Sequence, residues 1–248
     1  SAPYKIENWH NLNATGENLN ANFTLAADLD TGTGGYDAIA GSSANDGDGF
    51  APIDSPADST GALTGTFDGQ KHTIANLTIH RPNTDTVGLF AYVASINTQR
   101  ATVDGTVNDL TLTNVNITGG EEVGGIAGIH GYAIQTIKNV SVTGTVDGDS
   151  DVGGVVGKNM GRLENASASV SVTGSTNVGG LVGTNEGGTV TESYATSSVT
   201  GTDQVGGLVG ENKRFESPYP NYFSSKTSIV NRSYATGSVN ADGSKVGG

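Results

Sequence analysis

One six-residue block limits what this chain can fold into. Val123-Gly-Gly-Ile-Ala-Gly128, Val152-Gly-Gly-Val-Val-Gly157, Val178-Gly-Gly-Leu-Val-Gly183 and Val205-Gly-Gly-Leu-Val-Gly210 carry it four times. Val246-Gly247-Gly248 opens a fifth copy, and Val87-Gly88-Leu89-Phe90 is a degenerate forerunner. Between the blocks runs a second unit in constant phase. It begins at an aliphatic anchor (Ile137, Leu163, Val190, Val230). Three residues on stand Val140, Ala166, Ser193 and Ser233; five on, Val142, Ala168, Ala195 and Ala235; nine on, Val146, Val172, Val199 and Val239. The next Val-Gly-Gly follows after 6, 6, 6 and 7 residues, whereas the way from each block to the next anchor takes 14, 11, 12 and 25. Each repeat therefore has one fixed arc and one elastic corner.

Apolar positions at i, i+3, i+4 and i+7 over long stretches would mark helical repeats; here the alternation is short and broken by Gly. Repeats of about 27 residues with two or three short strands each match one turn of a β-solenoid. A single coil cannot bury its own inner face, so coils stack at about 4.8 Å. A corner that points outward tolerates insertions, whereas an inward strand does not. Ile74, Leu77 and Ile79, then Val107, Leu110 and Leu112, read as looser, earlier rungs. Gly-Gly in every rung marks a site of close backbone approach or a sharp bend. A phosphate loop is the functional alternative, and it fails because no Gly-Lys-Ser/Thr follows.

The lead-in, residues 1–70, is less regular, and 71–248 carries the repeats; the two form one continuous domain. Ile6, Trp9 and Leu12 predict a short amphipathic helix over 6–12 that caps the open end of the stack. Phe23, Leu25 and Leu29 alternate like a strand, 31–49 reads as a loop, and Gly65-Thr-Phe-Asp-Gly69 reads as a strand followed by a turn.

The Val-Gly-Gly-Leu-Val-Gly blocks resemble the GLUG repeat of bacterial filamentous and surface adhesins, found also in the non-catalytic part of immunoglobulin A metalloproteases. The upstream run resembles the segment preceding such repeats, through Asn22-Phe-Thr-Leu25 with Asp28-Leu-Asp30, Gly49-Phe-Ala-Pro-Ile53, Gly65-Thr-Phe-Asp-Gly69 and His72-Thr-Ile-Ala-Asn-Leu77. The resemblance implies export, an all-β, right-handed parallel β-helix with an N-terminal cap, and service as an adhesive or stalk region.

Composition narrows the function. A net charge of −13, from 25 acidic and 12 basic residues, repels nucleic acid and anionic membranes, which need a basic stripe. No apolar run reaches the roughly 20 residues of a membrane-spanning helix. Zero cysteines leaves the redox compartment open. Ser1-Ala-Pro3 opens directly into folded-looking sequence, so the chain reads as a mature or excised fragment that continues beyond Gly248. A zinc protease needs His-Glu-x-x-His, but His10, His72, His80 and His130 lie far apart. Glycoside hydrolysis needs two carboxyls about 5–9.5 Å apart, and the acids here gather in turns.

Two features qualify as candidate sites. The insertion 213–226 sets Phe215, Tyr219, Tyr222 and Phe223 beside Lys213, Arg214 and Lys226, stiffened by Pro218 and Pro220. Its rings either fold back on the rod or face outward as ligand-binding anchors. Asp147-Gly-Asp149-Ser-Asp151 has the i, i+2, i+4 spacing that opens a calcium loop, without its closing Glu. A solvated acidic turn is the plainer reading; Asn45-Asp-Gly-Asp48 is similar. Asn76-Leu-Thr78, Asn139-Val-Ser141 and Asn165-Ala-Ser167 read as columns of the stack rather than glycosylation sites. Thr111-Leu-Thr113 hints at an ice-binding ladder that lapses where Thr143 and Thr145 give way to Ser169 and Ser171. The expectation is a monomeric, extracellular, cofactor-free and non-enzymatic adhesin or stalk whose partner is a host- or cell-surface protein or glycan. The alternative is an accessory region of a secreted protease or polysaccharide-degrading enzyme.

Overall fold

The computed structural model describes residues 2–54, 61–93, 105–131, 136–217, 224–243 and 245–247. Three parallel sheets run along one axis. The broadest places Tyr4–Ile6, Phe23–Leu25, Thr66–Asp68, Thr106–Thr118, Thr136–Asp147, Arg162–Thr173, Thr189–Thr191 and Ile229–Asn231 side by side in successive rungs, three of which continue in further short strands (Thr73–Ala75 and Thr78–His80; Tyr194–Ala195 and Ser198–Gly201; Tyr234–Ala235 and Val239–Ala241). A second sheet stacks Ala62–Leu63, Phe90–Val93, Ala127–His130, Val156–Asn159, Val182–Glu186 and Val209–Lys213. The third stacks Glu121–Gly124, Ser150–Gly153, Thr176–Gly179, Asp203–Gly206 and Val246–Gly247. This is a parallel β-helix. Eight rungs at about 4.8 Å extend it to roughly 34 Å.

The phases read from sequence become columns. Ile137, Leu163, Val190 and Val230 are successive partners, continued downward by Val107, Phe67, Phe23 and Tyr4. Val146, Val172, Val199 and Val239 form another, continued by Ile117 and Ile79. From Ile79 to Val199 this column is buried, and Val239 is partly so. Val87, Leu89 and Phe90 lie in register below Val123, Ile126 and Ala127 although one Gly is missing.

The glycines of the block serve close approach at a bend: the chain bends at Gly125–Ile126, Gly154–Val155, Gly180–Leu181 and Gly207–Leu208. None of the block glycines from Gly124 to Gly210 has positive φ. A Cβ on Gly153 would lie 2.2 Å from the Val156 carbonyl oxygen, and one on Gly183 2.4 Å from the Asp151 carbonyl carbon. A Cβ on the middle Gly154 would meet the Gly180 carbonyl at 2.4 Å and Val170 at 2.6 Å. The second and third sheets thus touch backbone to backbone, a contact only hydrogen side chains permit. Positive φ falls instead on side-chain-bearing residues. Glu122, Asp151, Asn177 and Gln204, each just before the block's valine, have φ of 52–55°, and so do Asp109, Asn139, Asn165, Glu192 and Arg232, at 49–53°, where the broad sheet turns. The left-handed conformation costs roughly 1–2 kcal/mol per residue, least for Asn and Asp. Hydrogen bonds between rungs offset it: Asn165 Nδ2 donates to Asn139 Oδ1 (2.8 Å), and Asn139 Nδ2 to Asp109 Oδ1 (2.9 Å). Asn114 and Asn76 pair likewise at 2.7 Å.

The lead-in departs from expectation in three ways. Ile6 belongs to the strand Tyr4–Ile6, so the capping helix is shorter, Trp9–Asn13. Asn8 caps it by accepting from the Asn11 amide, and Trp9 and Leu12 are buried; the Trp9 indole donates to the Asp30 carbonyl at 2.9 Å. The segment 31–49 is not featureless but contains the helical turns Tyr36–Ile39 and Ala44–Gly47, and the Tyr36 hydroxyl donates to the Asn76 carbonyl. As expected at Phe23–Leu25 and at 65–69, strands before residue 70 join the broad sheet, and Tyr4–Ile6 adds the one not expected. A division at 70/71 falls inside one rung, because Thr66–Asp68 and Thr73–Ala75 both pair with Thr106–Thr118.

Candidate functional site

The insertion after Val209–Lys213 is anchored at its neck. Phe215 and Lys226 exchange backbone hydrogen bonds of 2.9 and 3.1 Å as an antiparallel bridge. Ser228 fastens the return by donating to the Asn185 carbonyl at 2.9 Å and accepting from the Gly187 amide. Phe215 is half-buried, its Cβ 2.6 Å from where a side chain on Gly187 would begin. The cations turn to neighbouring acids: Lys213 to Glu211 at 2.8 Å and Arg214 to Glu216 at 3.1 Å. Tyr219, Tyr222 and Phe223 lie outside the described residues.

The three aspartates of the 147–151 turn do not converge. Asp147 ends the strand Thr136–Asp147, Asp149 is exposed, and Asp151 opens away at φ 53°. Asp151 Oδ1 already accepts from Asn177 Nδ2 at 2.7 Å and Thr184 Oγ1 at 2.6 Å. Among the described residues no three His, Cys, Asp or Glu side chains are grouped to hold a metal ion.

Two arrangements were missed in the sequence. The first is an internal polar ladder. His130 Nδ1 lies 2.9 Å from Asn159 Oδ1; Asn159 Nδ2 donates to Asn185 Oδ1, and Asn185 Nδ2 to Asn212 Oδ1, both at 2.8 Å. His130, Asn159 and Asn185 are fully buried. Each member stands seven residues after the valine of its block, and that spacing is the signal. Among the described residues His130 Nε2 has no partner, and burial pushes the imidazole pKa down to about 4, against an upward pull from Asn159.

The second is the outer face of the broad sheet. Over 191–200 burial alternates residue by residue, which aims every second side chain at solvent. Thr73, Thr111, Ser141, Ser167, Tyr194 and Tyr234 make one outward column by register. Asn116, Thr145, Ser171 and Ser198 make a second, extended by a 3.0 Å contact between the Ser198 and Ser238 hydroxyls. Thr118, Asp147, Thr173, Thr200 and Asn240 make a third. The outward ladder is thus mostly Ser and Thr, interrupted by Asn116, Asp147 and Asn240. It ends on an aromatic step: the rings of Tyr194 and Tyr234 are parallel within 10° at a centroid distance of 5.5 Å. The signal was the repeated Ser193-Tyr-Ala-Thr196 and Ser233-Tyr-Ala-Thr236.

Comparison with known proteins agrees with this geometry. The GLUG motif matches residues 148–173 and 174–200, two consecutive coils. Halomucin of Haloquadratum walsbyi (strain DSM 16790 / HBSQ001) is 39% identical over 158 residues, 62% of this chain and 2% of the relative. The chain thus spans a very small part of that protein, whose source is not one of the bacteria to which the resemblance pointed. A crystal structure of a candidate immunoglobulin A1 protease from Bacteroides ovatus superimposes with a TM-score of 0.67 at 20% identity, over 98% of this chain and 78% of that one. At that identity the likeness speaks for the fold. The chain is a parallel β-helix that carries two consecutive GLUG motifs, at 148–173 and 174–200.

Proposed function

We infer that this chain is a segment of a large exported surface protein and works by presenting surface, as an adhesin or stalk, without catalysing a reaction. The observation that carries the reading is the division of labour in the broad sheet. Inward columns are largely aliphatic and buried; outward columns are polar, mostly Ser and Thr, so each added coil enlarges the same exposed face. A fold that grows by stacking suits reach and display. Kinship with Halomucin, of which this chain matches only 2%, supports an extracellular setting within a long protein. The partner is a protein or glycan of another cell or host surface. Nucleic acid is a poor match for a chain of net charge −13. No helix of the described residues is long and apolar enough to cross a membrane.

Two measurements test this. Antibodies raised against the purified chain should label intact source cells, and beads coated with the chain should adhere to cells or glycan-coated wells in excess of beads coated with albumin. Labelling only after permeabilisation would refute the surface setting. Labelled cells with non-adherent beads would leave the stalk as the role.

A further inference from the structure

Tyr194 and Tyr234 stand with Tyr4 as the exposed large aromatic side chains among the described residues, at 39% and 57%. Tyr194 keeps that exposure although the parallel Tyr234 ring covers one of its faces. Its other face looks along the axis over Ser167, its short partner in the preceding rung. Tyr194 therefore stands as a wall at the edge of a floor made of Ser167, Ser141 and, in the neighbouring column, Ser171 and Ser198. The backbone beneath is pinned. The Ala166 amide donates to Ser193 Oγ at 3.0 Å, the Ser193 amide to Ser233 Oγ at 3.1 Å, and both serine hydroxyls donate to carbonyls two residues back. Charges at the neighbouring corner pair off, Arg232 with Glu192 at 2.6 Å and Arg162 with Glu164 at 2.8 Å, and Lys138 stands in register beside Glu164.

Resting on the reading that this face is a recognition surface, we propose that the Tyr194 step is a binding site for neutral glycans. A pyranose ring has an apolar C–H face and a rim of hydroxyls. The first fits an uncovered aromatic face, and the second fits side chains that both donate and accept. Rungs about 4.8 Å apart leave room for one sugar ring against Tyr194 with its rim on the serine floor. A net charge of −13 selects against sialylated, sulfated or uronic acid chains.

The purified chain is titrated calorimetrically with cellohexaose, β-1,4-mannohexaose and chitohexaose, and with a heparin hexasaccharide as the anionic comparison. At least one neutral hexasaccharide is expected to bind with a Kd of roughly 1 mM or below, and heparin not at all. Tyr194→Ser, which continues the serine column, should weaken binding about tenfold or more. The melting temperature should stay within about 2 °C, because the ring lies at the surface. No binding by the parent to any neutral hexasaccharide, or equal binding by Tyr194→Ser and the parent, overturns the site. Adherence of coated beads is measured in parallel: if Tyr194→Ser/Tyr234→Ser beads adhere like the parent while hexasaccharide binding is absent, this site is wrong and the adhesive reading stands.

Discussion

Gly183→Ala puts one methyl group where two sheets touch. The new Cβ would lie 2.4 Å from the Asp151 carbonyl carbon, 2.5 Å from the Val152 nitrogen and 2.7 Å from the Gly157 carbonyl oxygen. All three are backbone atoms, held by ladders in both directions, so no side chain can swing aside. Restoring ordinary contact needs close to 1 Å of separation between sheets whose rungs are fixed at about 4.8 Å. Overpacking costs typically 1–3 kcal/mol, and a clash with backbone alone belongs at the top of that range, about 3 kcal/mol. At this length about 2 °C is lost per kcal/mol, so the melting temperature should fall by roughly 6 °C. Gly34→Ala is the matched control, with nothing within 4 Å of its would-be Cβ, and it should change stability by about 0.5 kcal/mol or less. Thermal and urea melts of the two variants decide the matter. If Gly183→Ala melts like Gly34→Ala, close approach is not why the block contains glycine.

Three further outcomes are expected. Val172→Asp places a charge in a fully buried aliphatic column and should cost at least about 4 kcal/mol, seen as a collapsed melting temperature or insoluble expression; a melt within a degree or two of the parent defeats the column alignment. His130 is neutral when folded, with a pKa of about 4 against 6.5 when exposed, so its stabilising share is complete above pH 6.5 and is lost as pH falls toward 4. That loss amounts to about 3 kcal/mol, and urea melts of the parent and of His130→Asn, which extends the ladder, should diverge by it between pH 7 and pH 4; parallel pH profiles would refute the assignment. Millimolar calcium should leave the melting temperature unchanged after chelation, since Asp151 is committed to Asn177 and Thr184; a rise of several degrees, absent in Asp149→Asn, would establish a site.

Much of the stack was legible because burial and hydrogen bonding share one period. Val146, Val172 and Val199 must face inward together, and any slip would turn them to solvent. The lead-in was harder because its rungs are spaced unevenly: Phe23 pairs with Phe67, and Phe67 with Val107, across unequal spans with no recurring phase. The glycines were half legible. Their repetition signalled a constraint, but a close contact with another rung and a positive φ look the same in sequence, and here the positive φ went to Asp151, Asn177 and their neighbours. The polar ladder left one signal, its constant place seven residues after each block's valine, and hid because each Asn finds its partner 26 or 27 residues away. The Tyr194–Tyr234 pair hid because two lone tyrosines become one feature only when register stacks them.

Stacking one coil per rung also sets how the molecule answers a pull. The matched coils hold 26 and 27 residues, yet each advances the axis by only about 4.8 Å. Drawn out straight, such a coil spans up to about 90 Å. Force along the axis bears on the terminal rung's hydrogen bonds first, so coils peel off one at a time, each releasing nearly twentyfold its resting length. Single-molecule extension should show separate steps, roughly 85 Å for each of the two matched coils and longer where the corner carries its insertion, whereas one all-or-none event would contradict this. A tether made of such coils is short at rest and yields in increments, keeping its remaining rungs, and the faces they carry, intact under load.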